Sequence, residues 1–276
     1  MSSEVMVSPS SKPLVSEGRM KLHFLGTAGY HPGDRRQTSC LFLPEAGIML
    51  DAGTGLYRVT PLIQTDTIHI FLSHAHLDHT FGLTCLLDVV AKRPLKNIFV
   101  YAEQAKIDAI QSGLLHPLMF PVELPIQWIA LESQSCDSIS IDDAKIQWFP
   151  LMHPGGSVGF RIDWPKLSIA YVTDTTSHVD SAYWDILRKV DWLIHECNFS
   201  DKETEFARLT GHSWTTEVLK GAKRAKIERL ILTHLQPTND NIDPLGLAAA
   251  LAKHRDLGPD QVIVAEDQLC IQLDIN

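Results

Sequence analysis

Cysteine is scarce in this chain and forms no pattern. Cys40, Cys85, Cys136, Cys197 and Cys270 are odd in number and widely scattered, which excludes a disulfide framework and a CxxC metal knuckle. Buried, reduced thiols in a cytoplasmic protein are expected instead. No apolar run approaches the roughly 20 residues that cross a bilayer, so no membrane partner is expected. Residues 1–19, MSSEVMVSPSSKPLVSEGR, lack a cationic stretch followed by an apolar one and do not read as a secretory signal. Their polarity predicts a disordered tail. No repeat of 20–50 residues occurs, and no low-complexity stretch lies beyond that tail. Positive charge is also in deficit: 24 Lys and Arg against 33 Asp and Glu leave a formal charge of −9, which disfavours a large polyanion as partner. The basic clusters Arg35-Arg36, Lys92-Arg93 and Lys220, Lys223, Arg224, Lys226 read as solvated faces.

What the chain does have is a soluble globular composition, 45% hydrophobic and 21% charged over 276 residues. Runs rich in Val, Ile and Phe predict strands over 20–26, 40–44, 47–53, 67–73 and 97–102, then 126–131, 145–151, 157–163 and 167–173, then 192–198, 229–235 and two over 261–273. Helices are predicted over 80–92, 103–114, 213–225 and 244–255. Strands in both halves, mostly followed by helices, predict an α/β fold: an αββα four-layer sandwich of two similar halves occupying 20–276.

The stretch LSHAHLDHTFGL, 72–83, crowds His74, His76, Asp78 and His79 into six positions. At a strand end, residues two apart leave on one face, so His74, His76 and Asp78 share a side. Such a cluster can feed two metals, and its nitrogen and carboxylate donors suit Zn²⁺ first, with Mn²⁺ or Fe²⁺ also accepted. Three further apolar runs end on candidate ligands: His153 in FPLMHPGG, Asp174 in SIAYVTDT and His234 in RLILTHLQP. Two divalent ions are therefore expected.

These residues and their order resemble the metallo-β-lactamase superfamily, whose pattern is His-x-His-x-Asp-His followed by a His, a bridging Asp and a last His. The resemblance runs from about Leu22 to the C-terminus. It implies that His74, His76 and His153 bind one metal, that Asp78, His79 and His234 bind the other, and that Asp174 bridges them. True β-lactamases usually lack the last His of the first motif, which His79 supplies here. Three stretches are similar to the ribonuclease Z-like phosphodiesterase branch: FLGTAGYHPGDRRQTSC (24–40), LIHECNFSD (193–201) and TGHSW (210–214), the last two departing from that family at Cys197 and Trp214.

In that branch the equivalents of Glu196 and His212 form a pair in which the carboxylate orients an imidazole facing the scissile phosphate. The candidate catalytic set is therefore Asp78, His212 and Glu196, with a metal-bridging hydroxide as nucleophile and His212 as proton donor to the leaving oxygen. Asp51, ending GIMLDAG, is a candidate to orient a ligand imidazole, or an ordinary turn aspartate. Twenty residues separate His153 from Asp174, where ribonuclease Z carries a tRNA-gripping arm, so a small phosphodiester, a cyclic nucleotide or an RNA end is expected. The alternatives are a thioester or lactone hydrolase of the glyoxalase II or lactonase type, a tRNA 3′-processing endoribonuclease, and a non-catalytic metal-binding scaffold. Members of the branch are often dimers, so the resemblance admits a homodimer.

Overall fold

The computed structural model describes residues 18–134, 138–239, 241–254 and 261–275. Most of the expected tail, and Cys136, lie outside the described residues. Arg19 already pairs with Asp274 as the first residue of a strand.

Among the described residues, strands β1 (Arg19–Gly26), β2 (Cys40–Leu43), β3 (Ile48–Leu50), β4 (Thr67–Phe71), β5 (Asn97–Ala102) and β6 (Gln127–Ala130) join β14 (Cys270–Asp274) in one sheet. Its order is β14-β1-β2-β3-β4-β5-β6. Strands β7 (Ser138–Ile141), β8 (Ala144–Leu151), β9 (Ser157–Trp164), β10 (Leu167–Val172), β11 (Trp192–Glu196), β12 (Arg229–Thr233) and β13 (Val262–Val264) form the second, in the order β13-β12-β11-β10-β9-β8-β7. Both follow one plan. Four antiparallel strands lead into a parallel run, from β3 to β6 in the first sheet and from β10 to β13 in the second.

Strands buried on both faces are apolar almost throughout, and β4 shows why. Phe71 packs into the layer between the sheets with Phe24, Phe160 and Ile194, whereas Ile68 and Ile70 turn outward beneath the first helical layer. That layer holds α1 (Leu77–Thr80), α2 (Leu86–Lys92) and α3 (Gln104–Ser112). The far side of the second sheet carries α4 (Tyr183–Ile186), α5 (Thr204–Thr210), α6 (Thr215–Ala225) and α7 (Leu247–Lys253). Trp184 of α4 is fully buried against Gly221 of α6, where an added Cβ would lie 2.0 Å from the indole ring. The layers thus stack as helix, sheet, sheet, helix.

Four expectations need correction. The helix expected over 80–92 is broken by a 3₁₀ segment, Phe81–Cys85. Gly82 presses its backbone onto the neighbouring loop, donating to Ala52 O at 2.8 Å, and a Cβ there would meet Gly53 O at 2.1 Å. Arg36 is not a solvated face but is 6% exposed, donating to Thr27 Oγ1, Ala265 O and Glu266 Oε1. The thiols are not uniformly buried: Cys40 and Cys197 are, Cys85 is half-buried and Cys270 exposed. Finally, β4 stops at Phe71, so His74 and His76 belong to a turn and their convergence does not come from strand periodicity.

Candidate metal centre and active site

Strand direction assembles the site. Strands β3 and β4 run parallel, as do β10, β11 and β12; β8 and β10 are both antiparallel to β9 and so share that direction. The C-terminal ends of these strands gather along one edge of the sandwich, the edge where parallel sheets place their sites. Asp51 follows β3, His74 follows β4, His153 follows β8, Asp174 follows β10, Glu196 ends β11 and His234 follows β12. Three of them turn the chain over the edge in the left-handed region: Asp51 at φ +57°, Asp174 at +38° and His234 at +58°. That conformation is uncommon for non-glycine residues and concentrates at functional sites.

All seven candidate ligands come together around Asp174. On one side, His74 Nε2 and His153 Nε2 lie 3.6 and 3.4 Å from Asp174 Oδ2, with His76 Nδ1 3.3 Å from His153 Nε2. On the other, His79 Nε2 and His234 Nε2 each lie 3.1 Å from Asp174 Oδ1. These two nitrogens are 3.4 and 3.3 Å from Asp78 Oδ2. The two groups, His74–His76–His153–Asp174 and Asp78–His79–Asp174–His234, each hold their donor atoms within 4.8 Å of one another.

The donors are prepared for cations. Asp51, fully buried, accepts from Ser73 N at 2.7 Å and, at Oδ2, from Ser73 Oγ, His79 Nδ1 and Tyr171 OH at 2.9, 2.7 and 2.8 Å. Because the Ser73 hydroxyl proton points at Asp51, His74 Nδ1 must donate to Ser73 Oγ, 3.0 Å away. His153 Nδ1 donates to Gly211 O at 2.9 Å. The three rings therefore carry their protons on Nδ1 and turn Nε2 lone pairs toward Asp174. His74 Nε2 is buried without a hydrogen-bond partner, an orphan that a metal bond would satisfy. Burial holds His74, His76 and His153 below the ordinary imidazole value and so neutral. Burial alone would raise Asp174 and Asp78, but the surrounding histidines hold both well below the usual carboxylate range. In the second group burial pushes His79 down, but the Asp174, Asp78 and Asp51 carboxylates outweigh it and raise that imidazole well above its ordinary value, so positive charge is favoured where a cation would stand. The neutral imidazoles of the first group, the ionised carboxylates and that orphaned nitrogen fit divalent metal. Asp78 stays ionised and accepts from Tyr30 N at 2.7 Å.

Glu196 and His212 sit beside this centre. Glu196 is buried and fully engaged: Oε1 accepts from Thr175 N, Ser213 N and His212 Nδ1 at 3.0, 3.1 and 3.2 Å, and Oε2 from Asn198 N at 3.1 Å. Burial pushes His212 down, but the Glu196 charge and hydrogen bond outweigh it and raise the imidazole to about 9. The His212 ring lies 5.2 Å from those of both His153 and His234, between the two groups. It faces a cleft of about 650 Å³ that His76, Asp78, His153 and Asp174 also line.

Several cleft residues escape the sequence reading. Asn198 donates to His234 O at 2.9 Å and steadies that turn. Phe199, Glu203, Phe206 and Gln236 also line the cleft. Glu203 and Phe206 belong to the stretch entering α5, whose signature was legible: Ser200-x-x-Glu203 is a capping box.

A family model described as the beta-lactamase superfamily domain matches residues 47–235. The chain is 26% identical over 285 aligned residues to a Ribonuclease Z of Prochlorococcus marinus strain NATL1A, an alignment covering 79% of this chain and 88% of that one. Among solved structures, the metallo-beta-lactamase fold protein YhfI from Bacillus subtilis superposes with a TM-score of 0.72 at 21% identity, over 91% of this chain and 99% of that one. The short form of human tRNase Z superposes with a TM-score of 0.70 at 24% identity, over 91% and 98%. The matched span is more than half of the chain and encloses every residue that converges on Asp174, and on that basis the chain belongs to the β-lactamase superfamily.

Proposed function

We propose that the protein is a metal-dependent phosphodiesterase acting on a small phosphodiester or an RNA end in the cytoplasm. The observation that carries this reading is the Glu196–His212 pair standing between the two groups of ligands, in a chain whose relatives include ribonucleases Z. His74, His76 and His153 would hold one divalent ion and Asp78, His79 and His234 a second, with Asp174 shared; zinc suits these donors best, and manganese or iron are alternatives. Metal bound there supplies Lewis-acid charge and a water acidic enough to ionise near neutral pH.

The chain's own residues do the rest. Asp51 and Gly211 O fix the imidazole protons so that the Nε2 atoms face the reaction site. His212, protonated at neutral pH because Glu196 stands against it, holds a proton for the departing oxygen. A thiolate leaving group needs no such proton, so this acid favours a diester over a thioester. Between His153 and Asp174 the chain makes only a glycine turn and the β9–β10 hairpin. It has no arm there to grip a tRNA, which favours a small substrate.

The test is His212→Ala, assayed on bis-p-nitrophenyl phosphate beside a thioester and a lactone, with metal content measured in parallel. Diesterase turnover should fall about 10²–10⁴-fold, the usual worth of a positioned acid, while metal is retained. Full diesterase activity in this variant would refute the assignment, and a wild type that prefers the thioester or lactone would refute the reaction class.

A further inference from the structure

The part of the cleft lined by Phe199, Glu203, Phe206 and Gln236 is unused by the chemistry above. Phe199 and Phe206 meet edge to face with ring centroids 5.3 Å apart, and Phe199 lies 6.2 Å from the His212 ring. Phe206 is nevertheless 56% exposed, and Tyr30, also lining the cleft, is 82% exposed while its backbone is tied to Asp78. Large aromatic faces left in water beside a reaction centre are what a flat, apolar group would cover.

Next to them stands a polar pair. Glu203 Oε2 accepts from Ser200 N and Oγ, and Glu203 Oε1 accepts from Gln236 Nε2 at 3.2 Å. That leaves Gln236 an acceptor oxygen and one N–H, and Glu203 Oε1 a free lone pair, so the edge offers both donors and acceptors. It is also acidic. Among the described residues, no Lys or Arg lines the cleft, so an additional phosphate at this wall, away from His212 and the ligand groups, would meet the Glu203 carboxylate with no basic side chain beside it.

We infer that this wall is a subsite for one uncharged heteroaromatic group, a nucleobase, and that Glu203 limits the substrate to a single phosphate. The base stacks against Phe206 and is read at its edge by Gln236 and Glu203, while its phosphate reaches the ligand groups past His212. The cleft volume of about 650 Å³ lies within the range of small-ligand sites. This inference rests on the phosphodiesterase reading for the identity of the reacting group, but its test by binding does not.

Calorimetry on the metal-loaded full chain should compare adenosine 3′-monophosphate with adenosine 3′,5′-bisphosphate, for wild type, Glu203→Gln and Phe206→Ala. Glutamine at that position keeps the capping box, so Glu203→Gln removes the charge without removing the helix start, and far-ultraviolet circular dichroism checks this. Wild type should bind the monophosphate about tenfold more tightly, the scale of one to two like charges about 4 Å apart and screened by water. Glu203→Gln should bring the two ligands to within about threefold by strengthening the bisphosphate, and Phe206→Ala should weaken both about tenfold. Equal binding of the two ligands by wild type, no binding of either, or an unchanged ratio in Glu203→Gln would each overturn the inference. Turnover of adenosine 2′,3′-cyclic phosphate, a diester that carries the base, separates the two claims. If it is absent while the binding preference stands, the diesterase reading falls alone; if it is present without the preference, the subsite falls alone.

Discussion

Replacing Asp51 by asparagine should weaken metal binding in both ligand groups, although Asp51 is a ligand in neither. Its Oδ2 accepts from His79 directly and, through the Ser73 hydroxyl, governs His74, so one carboxylate fixes an imidazole on each side of Asp174. An asparagine presents one amide NH₂ in place of an oxygen. Turned toward Ser73 N, it sets two donors against each other across 2.7 Å; turned the other way, it opposes Ser73 Oγ, His79 Nδ1 and Tyr171 OH together. The first orientation is cheaper and still leaves a buried donor unsatisfied, at a cost of about 1–3 kcal/mol. It also removes the negative charge behind His79. Loss of such an orienting partner usually lowers metal affinity 10–100-fold, or about 1.4–2.7 kcal/mol per site. The assay is metal retained per chain across a graded chelator competition, with thermal unfolding followed in the same samples. Both retention curves should shift to lower chelator, and the metal-free variant should melt below metal-free wild type. Wild-type retention at both sites would refute the reasoning, and a shift at only one would show that the Ser73 link to His74 carries nothing.

Two further consequences concern stability. Burial lowers His69 and His195 to about 4, so between that value and the ordinary 6.5 the unfolded chain binds protons that the folded one refuses. Stability from each is fully present above pH 6.5 and is lost as pH falls through about 4, at most about 3 kcal/mol apiece. In acid titration followed by circular dichroism, His69→Phe should unfold at lower pH than wild type, and an unchanged midpoint would contradict this. Gly221→Ala should destabilise the fold by about 1–3 kcal/mol despite alanine's better helix propensity, because the new methyl meets the buried Trp184 ring. A melting temperature equal to or above wild type would count against the packing described for α4 and α6.

How much of this could be read in advance follows from whether each cause is local. The candidate ligand positions could be picked out locally, because His74, His153, Asp174 and His234 each follow an apolar strand and His76, Asp78 and His79 crowd in directly behind His74. Asp51 was visible as a candidate orienter of a histidine, but its reach to His74 through Ser73 depends on where two side chains meet. Arg36 looked like surface because its partners, Ala265 and Glu266, are about 230 positions away in sequence. The break in the helix after His79 follows from the approach of Gly82 to Gly53, which no propensity encodes. The α5 stretch was overlooked for a different reason. It is a helix of seven residues, too short for apolar periodicity, and its one local signal is the capping box of the 3₁₀ turn Asp201–Glu203 that leads into it.

The two sheets repeat one plan, and the centre lies on the seam between them. His74, His76, Asp78 and His79 follow β4 of the first sheet, whereas His153, Asp174 and His234 come from the second. Neither ligand group is complete on one side: each takes two residues from each sheet, with Asp174 counted in both. On the metal reading proposed above, uptake would be a gauge of assembly, since the full donor sets exist only after the halves have docked. In a refolding experiment, cation capture would mark the closing of the sandwich, and the bound ions would act as rivets across a joint that hydrophobic packing alone must otherwise hold.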